Sequence, residues 1–252
     1  MRILIVNDDG ICGIGLKHLA EELAQKHSVV VVAPAKEHSG TSHSISINKH
    51  LTLNDTDVID GVKEAYVLNG SPIDCVKFGV DIIMKDNPPD VVLSGINNQM
   101  NIGTDIIYSG TVNASLEAAI IGHKSIAFSA ITTDSYRDIA KFASDNLELL
   151  MGMIDNHRTI ISVNFPVSDI SKAKGIEFCC IGEQKYNDRY VLRKTSDHEG
   201  YILIGEPIPV PNNPPKCDVE LIKKGYITIS PVKWDYNDYE ALSNTKLPKF
   251  IL

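Results

Sequence analysis

Four valines in a row, Val29 to Val32 inside "SVVVVAP" (Ser28 to Pro34), constrain this chain more than any other feature. Successive side chains of an extended strand point to opposite faces, so a strand that is apolar at every position must be covered on both sides. A sheet with one wet face has no place for it. Arg2 to Val6, "PDVVLSGIN" (Pro89 to Asn97), "SIAFSA" (Ser125 to Ala130) and "TIISVNFP" (Thr159 to Pro166) carry the same signature. Between them apolar residues recur at helical spacing: Leu16, Leu19, Ala20 and Leu23; then Val112, Leu116, Ala119 and Ile120; then Ile139, Phe142, Ala143, Leu147, Leu150 and Ile154. The last set predicts one long amphipathic helix. Strand alternating with helix predicts an α/β fold, a mostly parallel sheet with helices on both faces.

Smaller elements fill the series. Ile45 to Leu53 and "EAYVLNG" (Glu64 to Gly70) read as strands, and Ile73 to Met84 as a short helix. After Pro166 the pattern changes: "CCIGEQKYNDRYVLRK", "YILIGEPIPV" and "GYITISPV" read as hairpin-type strands. Residues 1–166 are therefore expected to form the core, and 167–252 a β-rich extension on it.

Bulk properties exclude some partners. A net charge of −8 offers no basic face for duplex nucleic acid. No apolar run is long enough to span a bilayer, and Met1-Arg2 leads directly into a strand with no signal-peptide layout. Five cysteines (Cys12, Cys75, Cys179, Cys180, Cys217) lack metal-type or framework spacing, which points to a reducing, cytoplasmic setting.

In parallel sheets ligands bind beyond the carboxyl ends of the strands, and three segments sit there. The first is Asp8-Asp9-Gly10, where two like charges end a buried strand; a turn explains it, and so does a hard cation such as Mg²⁺ or Mn²⁺. The second, "EHSGTSHSISI", is crowded with hydroxyls after the second strand. Its His38 and His43 lack metal-site context and read as surface residues. The third is "LSGINNQMNIGTDIIYSGTV" (Leu93 to Val112), in which Asn97, Asn98 and Asn101 precede Ser109-Gly110-Thr111. Ser109 is a natural N-cap, and a helix N-terminus favours an anion. An acidic pair, a hydroxyl loop, an Asn-rich turn and a helix start on one rim make the layout of a metal-dependent phosphatase.

At these residues the chain resembles the survival protein E family of 5′/3′-nucleotidases. The matching stretches are "RILIVNDDGI", "VVAPAKEHSGTSHSISI", "NGSPIDCV", "DVVLSGINNQMNIGTDIIYSGTV", "SVNFP" and "GYITISPV". The resemblance implies a Rossmann-like core and one divalent metal ion held by Asp8, Asp9, Ser39 and Asn97. It implies phosphate held near Ser109, Gly110 and Thr111 with Asn101 and Gly95 close by, and hydrolysis of nucleoside monophosphates, with 3′-nucleotides and short polyphosphate as further substrates. It also implies a homodimer or homotetramer. Asp8 is the expected acid/base or nucleophile and Asp9 chiefly a ligand.

Two positions depart from the family pattern. Gln99 stands where a glycine is usual, which would strain the loop if that position has positive φ. Ala118 replaces a glycine after Glu117, a change expected to be absorbed by packing. Tyr108, Tyr186 and Tyr190 are candidates for stacking a base. Two other functions remain open: a phosphoacceptor signalling domain and a non-catalytic nucleotide-binding protein. The first lacks an acceptor Asp at the end of "PDVVLSGIN", and the second lacks G-x-G-x-x-G after the first strand.

Overall fold

The computed structural model describes residues 1–131, 135–156, 158–166, 169–195 and 199–244. Its elements run β1 (Arg2–Val6), α1 (Ile14–Ala24), β2 (Ser28–Pro34), β3 (Leu53–Asp55), β4 (Glu64–Leu68), α2 (Pro72–Phe78), β5 (Val91–Asn97), α3 (Gly110–Ile120), β6 (Ser125–Ala130), α4 (Tyr136–Asp145), α5 (Leu147–Gly152) and β7 (Thr159–Phe165). Then follow β8 (Ile176–Phe178), β9 (Lys185–Tyr186), β10 (Arg189–Lys194), β11 (Glu199–Ile204), β12 (Pro207–Ile208), α6 (Asp218–Lys223), β13 (Ile227–Lys233) and α7 (Tyr239–Asn244).

The main sheet has nine strands in the order β3-β4-β2-β1-β5-β6-β7-β13-β8. Pairing is parallel from β4 through β7, with β3 and β13 antiparallel to their neighbours β4 and β7. The continuous apolar strands are explained by two cores. Ile3 and Ile5 of β1 face α1 and the α4–α5 pair, packing with Leu16, Leu19, Ile139 and Leu147. Leu4 and Val6 face the other way, toward Ile73 and Val76 of α2 and Ala114 and Ala118 of α3. Each fully buried aliphatic side chain contributes about 1.5–3 kcal/mol. Ala118 is fully buried in the second of these cores, so the departure at that position lies inside packed structure.

Several expectations give way. Ile45 and Ile47 do not lie in a strand; both are exposed, and the segment is tied down by other means: the Ser71 hydroxyl donates to Ser44 O and the Ser46 N–H to Asp74 Oδ1. The long helix over 139–154 is two helices. They meet at Asn146, whose φ is −110°, and whose amide donates to Phe142 O at 2.8 Å, a side-chain bond that competes with the helix ladder. The helix expected to run from Ile73 to Met84 ends at Phe78 and continues as a π-helical turn, Gly79–Ile83. "GYITISPV" supplies β13, which joins the main sheet beside β7 and β8. The β10–β11 hairpin and the short β9–β12 pair stand apart from that sheet. The boundary expected after Pro166 falls at residues 167–168, outside the described residues, as do 245–252.

Candidate functional site

Chain order puts β2 on one side of β1 and β5 on the other, so the loops leaving β2, β1 and β5 are neighbours at the carboxyl ends. This is the switch point at which open parallel sheets bind ligands. Backbone contacts then draw the loops together. Gly10 turns the chain with φ +87°, and a Cβ there would lie 3.2 Å from Pro34 O and Lys36 C. The Ile11 N–H donates to Pro34 O at 2.9 Å and the His38 N–H to Asp8 O at 2.7 Å. Ser39 is thereby delivered beside the acidic pair.

Asp8 is buried, and its partner is the start of α3. Thr111 donates twice to it, the hydroxyl to Oδ1 and the N–H to Oδ2 at 3.2 Å. A side chain at position 110 would have no room, because a Cβ on Gly110 would come 2.8 Å from Asp8 Cβ and Oδ2. Gly110 thus serves the approach of Asp8 to the helix, and both Thr111 donors are engaged by that carboxylate. Burial raises the Asp8 pKa against the Thr111 hydrogen bonds. Burial, and after it the charge of Asp8, pushes Asp9 up to about 7, opposed by the Asn98 N–H.

The third loop begins with an irregularity in β5. Its register against β6 shifts between Ser94 and Asn97, and Gly95, at φ +119°, has no space for a Cβ, which would meet Phe128 O at 2.2 Å. Bulges of this kind re-aim a strand end. Asn97 donates its amide to Gln99 O at 2.7 Å, leaving its oxygen for another partner. Gln99 has no positive φ, so the departure from glycine brings no left-handed strain. Asn101 is locked by Asn164, which accepts its N–H and donates to its carbonyl, and by Ser129, which accepts its side-chain amide. Ser109 caps α3, its hydroxyl accepting from the Val112 N–H at 3.0 Å.

These segments line a cavity of about 560 Å³. Asp8, Ser39, Asn97, Asn101 and Ser109 face it; Asp9, Gly95, Gly110 and Thr111 are not part of its lining. Gln99, Asp105, Tyr108, Tyr186, Asp188 and Leu203 are among the rest of the lining, and among the described residues no Lys, Arg or His belongs to it. Tyr190 is not part of the lining. The Tyr186 hydroxyl donates to Asp105 Oδ2. The Asp105 pKa is raised first by burial, and then by the charges of Asp218 and Asp188, an acidic group distinct from Asp8, Asp9 and Glu37.

Could this rim hold a hard cation? Among the described residues no three of His, Cys, Asp and Glu converge, so neutral oxygens would have to complete the set. They are present. The Ser39 hydroxyl donates its hydrogen to Glu37 Oε1, which leaves its lone pairs for a cation, and Asn97 has its oxygen. Two adjacent carboxylates with raised pKa, and no cationic side chain on the cavity wall among the described residues, fit a bound divalent ion.

A family model described as "Survival protein SurE" matches residues 3–188. The chain belongs to the SurE family. It is 38% identical over 248 residues to the 5′-nucleotidase SurE of Thermoanaerobacter sp. (strain X514), covering 96% of each chain. It is 37% identical to the 5′-nucleotidase SurE of Alkaliphilus metalliredigens over 99% of this chain and 100% of that one. The crystal structure of the SurE protein from Aquifex aeolicus superposes with a TM-score of 0.80 at 31% identity, covering 96% of this chain and 97% of that one. The mostly parallel α/β fold is thereby shared with a solved SurE structure.

Sequence reasoning missed the far wall of this SurE cavity. Asp105, Asp188 and Leu203 give no local signal, because the β9–β11 arm meets the Asn-rich loop only in three dimensions. His43 also differs from expectation. It is half-buried and bonded to Asn113 and Glu117 rather than solvated.

Proposed function

We propose that this protein is a divalent-metal-dependent phosphomonoesterase that hydrolyses nucleoside 5′-monophosphates to nucleoside and phosphate. The observation that carries the reading is the buried Asp8, fixed by two Thr111 donors at the wall of a cavity to which, among the described residues, no cationic side chain belongs. A substrate phosphate brings at least one more negative charge to that wall, which requires a cation. Asp8, Asp9, Ser39 and Asn97 would hold Mg²⁺ or Mn²⁺, both suited to oxygen ligands. Bound there, a divalent ion offsets charge on phosphoryl oxygens and lowers the pKa of water.

The chain's own residues supply position. Ser109, at the open start of α3, and Asn101 orient the phosphoryl oxygens, aided by the N-terminal end of the helix dipole. Gly95, Gly110 and Thr111 act from outside the lining: the glycines permit close approach, and Thr111 sets the angle of Asp8. Asp8 is the acid/base or nucleophilic group. Tyr108 and Tyr186 offer aromatic faces to the base. Hydrolysis of 3′-nucleotides and short polyphosphate belongs to the same proposal, with polyphosphate the poorer substrate because Asp105 and Asp188 repel further phosphates.

A homodimer or homotetramer in the cytoplasm is part of the reading. It is supported by the five free cysteines and by the exposed Tyr190, Tyr201 and Leu203 on the β10–β11 hairpin. Among the described residues no helix is long and apolar enough to cross a membrane.

Phosphate release from AMP, GMP and 3′-AMP with Mg²⁺, Mn²⁺ or EDTA tests the proposal. Metal-dependent release that EDTA abolishes supports it. A folded protein that releases nothing with either metal refutes it and leaves a binding role.

A further inference from the structure

The chemistry proposed above makes no use of His43, yet both of its ring nitrogens are engaged. Its Nδ1 lies 3.1 Å from Asn113 Oδ1 and its Nε2 lies 2.7 Å from Glu117 Oε2. The orientation of Asn113 is determined independently. Its Nδ2 is within 2.8–3.2 Å of the carbonyls of Ser109, Ile106 and Ile107. Only an amide NH₂ can donate there, so its oxygen faces the ring. The side chain of Glu117 is 8% exposed, and its other oxygen accepts from Lys77 Nζ at 2.9 Å.

Both imidazole nitrogens therefore face acceptors. A neutral ring has one N–H, and two acceptors require two. The ring in this setting is an imidazolium, its charge answered by Glu117 on α3 and opposed by Lys77 on α2. The Glu117 bond raises the His43 pKa, burial opposes it, and Glu117 is lowered in turn, first by His43.

Ser39 depends on such anchors. It is exposed, and it is followed by Gly40, around whose Cβ position there is open space. On one side His38 is tied to Asp8 O. On the other, the Ser42 N–H donates to Tyr108 O, the Ser42 hydroxyl to Ile107 O, and His43 reaches α3. Asn113 joins the same helix start to residues 106 and 107. The hydroxyl loop, the Asn-rich loop and the base of α3 thus meet at His43 and Asn113, and the only charge pair among these ties is His43–Glu117.

We infer that His43 is a positioning residue: clamped as an imidazolium between Glu117 and Asn113, it holds the Ser39 hydroxyl at the rim and so sets the affinity for the divalent ion. The inference rests on the metal-dependent reading above. Groups that hydrogen-bond a metal ligand directly change metal affinity by roughly 10- to 100-fold when removed; His43 acts one step further out, through the loop, so the low end of that range is expected.

The test is calorimetric titration of Mn²⁺ into the full-length, metal-stripped protein without substrate. His43→Ala is expected to weaken Mn²⁺ binding by about 10-fold. The Mn²⁺ concentration for half-maximal AMP hydrolysis should rise by the same factor, while KM for AMP at saturating Mn²⁺ moves by less than about 3-fold. Lys77→Met, which removes the other cation on Glu117 without touching the loop, should shift Mn²⁺ affinity less than His43→Ala does. Equal Mn²⁺ affinity in wild type and folded His43→Ala overturns the inference alone. No Mn²⁺ binding by wild type overturns the metal-dependent reading and the inference with it. Should His43→Ala fail to fold, ¹⁵N shifts of the wild-type ring at neutral pH decide: two protonated nitrogens support the clamp, and one neutral tautomer refutes it.

Discussion

The two walls of the cavity are built on different terms. On the sheet side, Asp8, Asn97, Asn101 and Ser109 are 4–7% exposed, and each is held by a hydrogen bond printed into the fold by a strand end or a helix start. On the arm side, Tyr186 is 38% exposed and Leu203 54%, and their support comes from short strands standing outside the main sheet. The sheet wall is preorganised, which suits charge stabilisation in a transition state. The arm wall is more exposed and stands outside the main sheet, which would suit a surface that accepts different bases. On the proposed function, chemistry and selectivity fall to separate parts of one pocket.

Breaking the sheet wall should be far costlier than altering the arm. Asp8→Asn is expected to lower kcat by roughly 10³-fold or more on AMP with Mn²⁺, since the proposed function makes Asp8 both a ligand and the acid/base or nucleophile. A mutant within tenfold of wild type would separate Asp8 from the reaction. Thr111→Val should keep the shape of the site and lose the hydroxyl bond to Asp8; steady-state kinetics should show kcat reduced by about 10- to 100-fold.

The acidic pair also makes a stability prediction. The folded-state pKa of Asp9 is about 7 against an ordinary 3.8, so the native protein binds more protons than the unfolded chain between those values. Stability in EDTA should therefore fall as pH rises from about 4 to 7, read as a falling Tm. Adding Mn²⁺ should reverse the slope, and Asp9→Asn should flatten it while raising the metal-free Tm. A Tm that climbs through this window in EDTA would mean that Asp9 is not held in the protonated form.

The smallest effect belongs to the arm. Tyr186→Phe deletes the bond to Asp105, a neutral donor on a partly exposed carboxylate, and should change KM for AMP by about 2- to 10-fold with kcat nearly constant. A change confined to kcat would place Tyr186 in the chemistry and erase the contrast between the walls.

The sequence showed one of these walls and hid the other. Val29–Val32 and the runs at β1, β5, β6 and β7 could only be doubly covered strands, and parallel topology then placed Asp8, Ser39 and Asn97 on one rim. What failed to show was long-range. Thr111 lies 103 residues from Asp8 and His43 lies 74 from Glu117, so nothing local distinguishes a free hydroxyl or a solvated imidazole from a bonded one. Ile45 and Ile47 alternate with serines as a strand would, yet hydrogen bonds from Ser71 and to Asp74 hold that stretch instead. Asn146 carried the break between α4 and α5 inside an unbroken apolar period, because its competing amide bond leaves no trace in hydrophobic spacing.

Gly110 and Asp8 share a space that admits only one side chain, and that contact imposes an order on change. A library randomised at position 110 alone should return glycine almost exclusively under selection for activity, whereas the same library built on a chain with a smaller residue at position 8 should accept alanine and serine. The two positions form a single coupled unit of inheritance, so a lineage that abandoned the carboxylate would have to rebuild the helix start before it could regain it.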